Sequence, residues 1–225
     1  MSIRSITAVA ASLLAAATAD AQYLGPLPYL SAADTPLLIP SSGVFHVEDF
    51  EDDLLTPGLT AMNGVRIGPG SFTDSVDADD GVIDGSGLGG GSYFSNAATS
   101  SFEFRFDAGV LGTFPTHAGV VWTDVGDVLS GQTGFGSVRL EAFDTLGETI
   151  GLFGPFELGD GAATGGTAED RFLGLVHQGG ISRLVITMDN SVDWEVDHVQ
   201  YGFIPAPAGV LLLVGAGGML TPRRR

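Results

Sequence analysis

Short runs in which apolar and polar residues alternate recur along the middle of the chain, and they predict β-strands. The clearest is Phe102-Glu103-Phe104-Arg105-Phe106, in which every second side chain is aromatic. A period of two places these rings on one face of a strand. Further segments alternate or form short apolar runs, namely residues 44–50, 118–122, 137–143, 149–153, 172–177, 181–188 and 194–201. No amphipathic helical pattern longer than two turns precedes residue 205, so the pattern predicts an all-β fold.

Turn-forming residues separate these segments. The chain contains 34 glycines and 11 prolines, and Gly, Asp and Asn are frequent between the apolar runs. About eight short strands joined by such turns favour an antiparallel β-sandwich, most specifically a jelly roll, over a βαβ fold. A β-solenoid is the alternative, but the chain has no fixed-period repeat. We predict one sandwich domain over residues 44–203, preceded by a loosely packed N-terminal arm at residues 22–43.

The first residues have the features of an export signal. Arg4 gives a short positive start, residues 6–17 are apolar, and Ala19 and Ala21 place small side chains at the positions that signal peptidase reads. The pattern predicts a signal peptide over residues 1–21. Because the chain has no cysteine, an exported fold would hold its core without disulfide bonds.

The last residues, 204–225, form a second distinct segment. An uncharged apolar run of 13 residues, 208–220, follows Pro205, Ala206 and Pro207 and precedes Arg223, Arg224 and Arg225. As a helix it would be about 20 Å long, shorter than a hydrocarbon core of about 30 Å. Such a hydrophobic helix with terminal positive charge is typical of a retention signal that is removed by cleavage. A permanent transmembrane anchor and a buried apolar helix are the alternatives.

This order of proline motif, apolar segment and arginine cluster resembles the PEP-CTERM sorting signal of bacterial surface proteins. Ala206 stands where the family motif has glutamate, so the chain would be a Pro-Ala-Pro variant. The resemblance covers about a tenth of the chain. It implies processing by signal peptidase and an exosortase-type enzyme, transient tethering to the membrane through the tail, and delivery to the cell envelope, cell surface or extracellular matrix of a bacterium.

Part of the middle of the chain also has a familiar pattern. Residues 115–124, 141–144, 168–174 and 195–202 resemble an uncharacterised group of PEP-CTERM surface proteins. The ectodomain of that group looks like a galactose-binding-type or carbohydrate-binding-module jelly roll. The resemblance implies a fold and a location, but the group has no established activity.

The charge of the chain excludes two classes of partner. The formal net charge is −18, and between the two terminal segments five arginines and no lysine stand against the acidic residues. Affinity for nucleic acid phosphates and anionic membranes rests on Lys and Arg, so neither is an expected partner. Divalent cations are expected to bind an acidic domain of this kind.

An acidic stretch over residues 74–85 is one candidate for a calcium site. It does not have EF-hand spacing, because counting from Asp77 the required glycine falls on Val82. A different oxygen cage and a solvated acidic loop are the two interpretations.

The resemblance to carbohydrate-binding modules implies a second candidate, a structural calcium between the first and last strands. The matching positions are Glu48, Asp49 and Glu51 near the first strand and Asp197 on the last. Strands at the two ends of a sandwich often lie side by side, and carboxylates brought together there would need a cation. In the alternative interpretation, Asp197 accepts hydrogen bonds from a neighbouring loop or pairs with Arg171.

Catalytic patterns are weak, and we expect a protein that is not an enzyme. A glycoside hydrolase is the remaining enzymatic alternative; it would need paired carboxylates such as Glu141 with Asp144, or Glu169 with Asp170. The histidines are candidate bases, but no serine stands in a Gly-x-Ser-x-Gly turn, and no zinc or phosphate motif is present. His117 and His198 are therefore interpreted as structural or surface residues.

A carbohydrate-binding, lectin-like module is the alternative to a structural surface protein. The aromatic residues that could stack on sugar rings are Trp122, Trp194, Tyr93 and Tyr201. Aromatic residues on sandwich strands are usually core, and Trp122 lies in an apolar run. Tyr93, in a glycine-rich loop, is the better candidate for exposure.

Overall fold

A computed structural model describes residues 20–38, 43–71, 73–78, 89–96, 99–125, 137–159, 170–189 and 194–204. The predicted signal peptide, except for its last two residues, and the tail from residue 205 lie outside this part of the chain. In the described part, no helix has both the length and the apolar character needed to cross a membrane.

Within the described residues the chain forms twelve strands and a four-residue helix, Ala108–Leu111. The strands are β1 (Gln22–Pro28), β2 (Val44–Glu48), β3 (Leu59–Met62), β4 (Val65–Ile67), β5 (Ser92–Phe94), β6 (Ser101–Phe106), β7 (His117–Val125), β8 (Ser137–Phe143), β9 (Thr149–Glu157), β10 (Arg171–Val176), β11 (Arg183–Asp189) and β12 (Trp194–Phe203).

The strands form two sheets, and every pairing is antiparallel. The larger sheet has the order β1-β10-β7-β12-β5-β4, with β2 also paired to β12, and the smaller sheet has the order β3-β6-β11-β8-β9. The predicted all-β class and the two-sheet architecture of a β-sandwich are confirmed.

The alternation in the sequence explains how the two sheets share a core. Phe102, Phe104 and Phe106 of β6 are buried, while Glu103 and Arg105 between them face outward and form an ion pair. β8 and β11 repeat this pattern of buried and partly exposed positions. The core also holds both tryptophans, whose rings lie 5.0 Å apart. Side chains from the two inner faces therefore fill the space between the sheets.

β12 is the longest strand and lies inside the larger sheet. One edge pairs with β7 from Trp194 to Gly202. The other edge pairs with β5 at Glu195 and Val196 and with β2 from Val199 to Phe203. Asp197 and His198 thus lie between the segment of β12 that pairs with β5 and the segment that pairs with β2.

The prediction of a loosely packed N-terminal arm is wrong. β1 pairs with β10 as the edge strand of the larger sheet, and its Tyr23 ring stacks on Phe153 of β9 at 4.8 Å. Residues 29–38, which we call the strap, then cross the outer face of this sheet. Tyr29 and Leu37 of the strap are buried there in a second apolar cluster. A register shift between Leu24 and Leu27 breaks the alternation that would have marked β1.

Three strands were absent from the prediction because they are short. β3, β4 and β5 have four, three and three residues. A period of two cannot be recognised reliably in so few positions. Their places in the sheets are set by partners that are distant in sequence.

Gly119 tests the packing of the outer face of the larger sheet. A Cβ at this position would lie 2.2 Å from Phe172 Cζ and 2.8 Å from the Leu173 carbonyl oxygen. We expect Gly119→Ala to lower the free energy of unfolding by about 1–3 kcal/mol, because overpacking forces neighbours to shift. Urea unfolding measures this change. Gly68→Ala is the matched control, since no heavy atom lies within 4 Å of its Cβ. Equal stability of the two variants would contradict the packing of Phe172 on Gly119.

Candidate functional site

A bulge in β12 places two consecutive polar residues on the outer face of the larger sheet. The core-facing residues of the strand are Trp194, Val196, Val199 and Tyr201. Asp197 and His198 lie between the two halves of this pattern, where the register with β7 shifts. His198 has φ 42°, a left-handed conformation that is uncommon for a residue with a side chain. A bulge redirects side chains, so this one turns both residues away from the core.

Asp197 is enclosed by the segment of residues 73–78. Its Oδ2 accepts hydrogen bonds from Ser75 Oγ at 3.1 Å and from the Val76 N–H at 3.0 Å, and its Oδ1 accepts the His198 N–H at 2.6 Å. The residue is fully buried. Burial raises the pKa of Asp197 from its ordinary 3.8 to about 7, against the lowering effect of His198. The interpretation that Asp197 accepts hydrogen bonds from a neighbouring loop is therefore confirmed.

His198 connects the strap to the same segment. Its Nδ1 is hydrogen-bonded to the Tyr29 hydroxyl at 3.0 Å, and its Nε2 lies 3.0 Å from Asp77 Oδ2. Burial lowers the pKa of His198, but the Asp77 hydrogen bond and the charges of Asp197, Asp77 and Asp49 outweigh it and raise the pKa. We call Tyr29, Ser75, Asp77, Asp197 and His198 the polar cluster.

The strap covers one side of the polar cluster, and the other side is in contact with solvent. The Thr35 hydroxyl of the strap donates to Gln200 Oε1 of β12, which fixes the strap next to Tyr29. Asp77, in contrast, keeps 41% of its side chain exposed. The cluster is thus a buried pair of ionisable groups with a single carboxylate at the surface.

Negative charge dominates this region. The negative charges of Asp197, Asp77 and Asp49 all raise the pKa of His198. In the described ranges, the ion pairs of the arginines lie elsewhere: Arg66 with Asp53, Arg105 and Arg183 with Glu103, and Arg139 with Asp189. Arg171, the partner considered for Asp197, donates instead to the Asp170 carbonyl. The imidazole of His198 is therefore the basic group that lies next to the carboxylates of the polar cluster.

The four predicted calcium ligands are only partly brought together. β2 and β12 do pair, as expected, with Glu48 opposite Val199. Because Val199 faces the core, Glu48 lies on the other face of the sheet from Asp197. Its carboxylate accepts the N–H groups of Phe50 and Thr56.

The other two predicted ligands lie nearer to Asp197. Asp49 is exposed and accepts the Glu51 N–H. Glu51 and Asp197 both contact the Ser75 hydroxyl, at 3.5 and 3.1 Å. A different set of three residues, Asp77, Asp197 and His198, brings its ligand atoms within 4.8 Å of one another. In the described part of the chain, no other group of three His, Asp or Glu residues has this property.

The acidic stretch at residues 74–85 begins inside the protein. Asp74 and Ser75 are buried, and the Asp74 N–H donates to Glu195 Oε2 at 2.9 Å, which also accepts from Ser92 Oγ. The interpretation of a solvated loop is wrong for this beginning. Residues 79–84 lie outside the described part of the chain.

The proposed aromatic platform is wrong. Trp122, Trp194 and Tyr201 are fully buried, and Tyr93 is 5% exposed. The Tyr93 ring stacks on Phe50 at 5.4 Å, and its hydroxyl accepts the Gly64 N–H. All four rings belong to the core, including the one expected at the surface.

The nominated catalytic groups serve local structure. Glu141 accepts the Thr149 hydroxyl, and Asp144 accepts the N–H groups of Leu146 and Glu148 in the following turn. Glu169 lies outside the described residues, and Asp170 is buried.

The histidines that were candidate bases are likewise placed in local structure. His46 stacks on Tyr201, and His117 is hydrogen-bonded to the Thr116 hydroxyl at 2.8 Å. His117 and His198 are both buried with partners, in agreement with a structural interpretation.

A cavity of about 230 Å³ lies between the loop after β2 and strands β4 and β5. Its lining residues include Glu48, Leu54, Leu55, Arg66 and Tyr93. Arg66 is fixed there, because it donates to the Phe50 carbonyl and pairs with Asp53. The cavity combines apolar side chains with a fixed guanidinium and the acidic residues Glu48, Asp52 and Asp53.

The polar cluster was missed because its members looked unrelated in sequence. One signal was present: the alternation of β12 slips by one position, since apolar residues stand at Trp194 and Val196 and then at Val199 and Tyr201. Such a slip predicts a bulge at the two residues between. Nothing local connects these to Tyr29, which is 169 positions away.

Comparisons with known proteins return no family model, no curated protein and no solved structure that matches the chain. No activity is therefore transferred from a relative.

The stability of the protein should fall as the pH rises from 5 to 8. The folded-state pKa of Asp197 is about 7, above its ordinary 3.8, so the folded protein keeps a proton that the unfolded chain has released. The pKa of His198 is also raised, so its contribution is complete below about pH 6.5 and is lost at higher pH. We expect a loss of about 2–4 kcal/mol in the free energy of unfolding, measured with a chelator present.

Asp197→Asn is the matched variant for this measurement, because the side chain keeps its size and loses its charge. Its profile should be flatter over the same range. An unchanged slope in the variant would contradict the assignment to Asp197.

Proposed function

We propose that the chain is an exported, non-catalytic β-sandwich protein of the bacterial cell envelope or extracellular matrix. The observation that carries this proposal is the enclosure of its ionisable groups. Asp197 and His198 are buried beneath the strap and residues 73–78, where they connect three parts of the chain. Groups held in this way are suited to stabilise a fold rather than to reach a substrate.

The finer fold assignment belongs to the same proposal. A jelly roll of the galactose-binding type is supported by the two antiparallel sheets and by the adjacency of β2 and β12. Because β1 is a strand of the larger sheet, the domain that we propose spans residues 22–203.

The location is supported by the two terminal sequence patterns. Ala19 and Ala21 would define the signal peptidase site. Pro205-Ala206-Pro207 and the terminal arginines would direct the chain to an exosortase-type enzyme, with the apolar run as a transient membrane tether.

A structural calcium ion remains part of the proposal. Glu51, Ser75 and Asp197 supply adjacent oxygen atoms, which calcium prefers as ligands. Glu48 is directed away from this group, so its role as a ligand has less support.

A carbohydrate-binding module is the second candidate, and the cavity next to Arg66 favours it. Its volume of about 230 Å³ is below the roughly 300–1,000 Å³ of sites for drug-sized ligands, which suits a single sugar unit. Specific binding on a glycan array, lost in Arg66→Ala, would support this candidate. A glycoside hydrolase has less support, because Glu141 is engaged by the Thr149 hydroxyl and Asp144 by the N–H groups of a turn.

Deletion of residues 205–225 tests the proposed delivery. We expect the shortened protein to move from the envelope fraction to the medium, because it lacks the apolar tether and the processing motif. Cell fractionation with immunodetection measures the distribution. A chain in which Arg223, Arg224 and Arg225 are replaced by Gln keeps the apolar run and separates charge from hydrophobicity. An unchanged distribution of the deletion variant would overturn the sorting proposal.

A further inference from the structure

We propose that Asp77, Asp197 and His198 form a binding site for a first-row divalent metal ion with mixed nitrogen and oxygen ligands, such as Zn²⁺ or Mn²⁺. The imidazole distinguishes this group from the surface carboxylates of an acidic protein. The proposal concerns the folded domain alone and does not rest on export or sorting.

The positions of the ligand atoms suit one ion. One nitrogen or oxygen atom from each residue lies within 4.8 Å of the other two. The separation of His198 Nε2 and Asp77 Oδ2 is 3.0 Å. Two ligands at right angles, each about 2.1 Å from a metal ion, are separated by about this distance. The other two separations are at most 4.8 Å, and small movements of the exposed Asp77 side chain would adjust its distance to Asp197.

Tyr29 provides the contact that a metal-binding histidine usually has on its second nitrogen. Its hydroxyl is 3.0 Å from His198 Nδ1, and the two rings meet edge to face. When Nδ1 carries the proton and donates to this hydroxyl, the lone pair of Nε2 points at the Asp77 carboxylate. Two acceptors would then face each other, and a cation between them removes the repulsion. Outer contacts of this kind fix the ring orientation and the tautomer in metal sites.

The charge around the group provides a second and independent reason to expect a cation. Asp197 is fully buried, and Asp49 and Asp77 add negative charge around the imidazole. No ion pair with an arginine compensates this charge in the part of the chain that the structure describes. His198 is the one base near these groups in the described part, so the charges of Asp49, Asp77 and Asp197 all fall on a single imidazole. A divalent ion would compensate the remaining negative charge directly. Burial also raises the pKa of Asp197, which is consistent with incomplete compensation in the absence of an ion.

The ligand types select the class of metal. Calcium takes oxygen ligands and would use Glu51, Ser75 and Asp197. Zinc, nickel, copper and iron bind readily to imidazole, and manganese binds readily to carboxylates. Asp77 is 41% exposed and provides the entry path, and water would complete the coordination. The site that we propose therefore shares Asp197 with the calcium site but differs from it in the other two ligands and in its ion.

Metal-dependent unfolding of the full chain tests the proposal. The purified protein is stripped with a chelator, and its unfolding midpoint is measured with Zn²⁺, Mn²⁺ or Ca²⁺ at equal concentration. We expect Zn²⁺ near 100 times its dissociation constant to raise the midpoint by about 5–10 °C. Mn²⁺ should act at higher concentration, in agreement with the usual order of affinities. Ca²⁺ at the same concentration as Zn²⁺ should raise the midpoint less, and its effect should not depend on His198.

His198→Asn is the decisive variant, because asparagine tolerates the left-handed conformation of this position but does not supply the imidazole. It should lose the Zn²⁺ response. His46→Asn is the control, since His46 lies on β2 and stacks on Tyr201 away from the group. If His198→Asn does not fold, paramagnetic broadening by Mn²⁺ in the wild-type protein replaces it, and the ring protons of His198 should be the first histidine signals to disappear.

Three results would overturn the proposal. A Zn²⁺ response that survives in His198→Asn would place the ion elsewhere. Stabilisation by Ca²⁺ equal to that by Zn²⁺, and independent of His198, would indicate the oxygen-only calcium site. The absence of stabilisation by all three ions would leave His198 as an internal counter-charge with no metal.

Discussion

The bulge at Asp197 and His198 is the feature on which the organisation of the larger sheet depends. With regular alternation from Trp194, Val199 and Tyr201 would leave the core and His198 would enter it. The extra residue restores the core pattern and puts two polar residues side by side on the outer face. Those residues require partners, and the strap and residues 73–78 supply them. A local irregularity in one strand therefore determines what covers the sheet.

Charged side chains have different environments on the two outer faces of the sandwich. On the smaller sheet, Arg105, Arg139 and Arg183 pair with acidic neighbours near solvent, and the Arg183 guanidinium lies 3.7 Å from the centre of the Phe143 ring. Such exposed pairs contribute little stability individually. On the larger sheet, carboxylates are buried under a cover of backbone N–H groups, hydroxyls and one imidazole. Carboxylate pKa values therefore shift in opposite directions on the two faces: Arg105 and Arg183 lower the pKa of Glu103 on the smaller sheet, whereas burial raises the pKa of Asp197 on the larger sheet.

The fold was predictable to the extent that local pattern decided it. β6 and β8 were found because each buries every second side chain, and β12 because its residues are rich in β-branched and aromatic types. β1 was missed because a register shift hides its alternation, and Tyr93 was placed at the surface because glycines flank it. Asp197 was singled out from the sequence as a candidate ligand, but the residues that contact it were not. Ser75, Asp77 and Tyr29 are brought to it by tertiary contacts, which no short-range pattern encodes.

The hydrogen bond between Tyr29 and His198 joins residues 169 positions apart. Contacts with such a large sequence separation form only after a long loop has closed, and chains dominated by them fold slowly. The contact between Tyr29 and His198 therefore requires β12, the last strand of the domain. The other partners of the strap, Val121, Asp170 and Phe172, also lie far along the chain. An early segment is thus fixed only by residues that are synthesised much later.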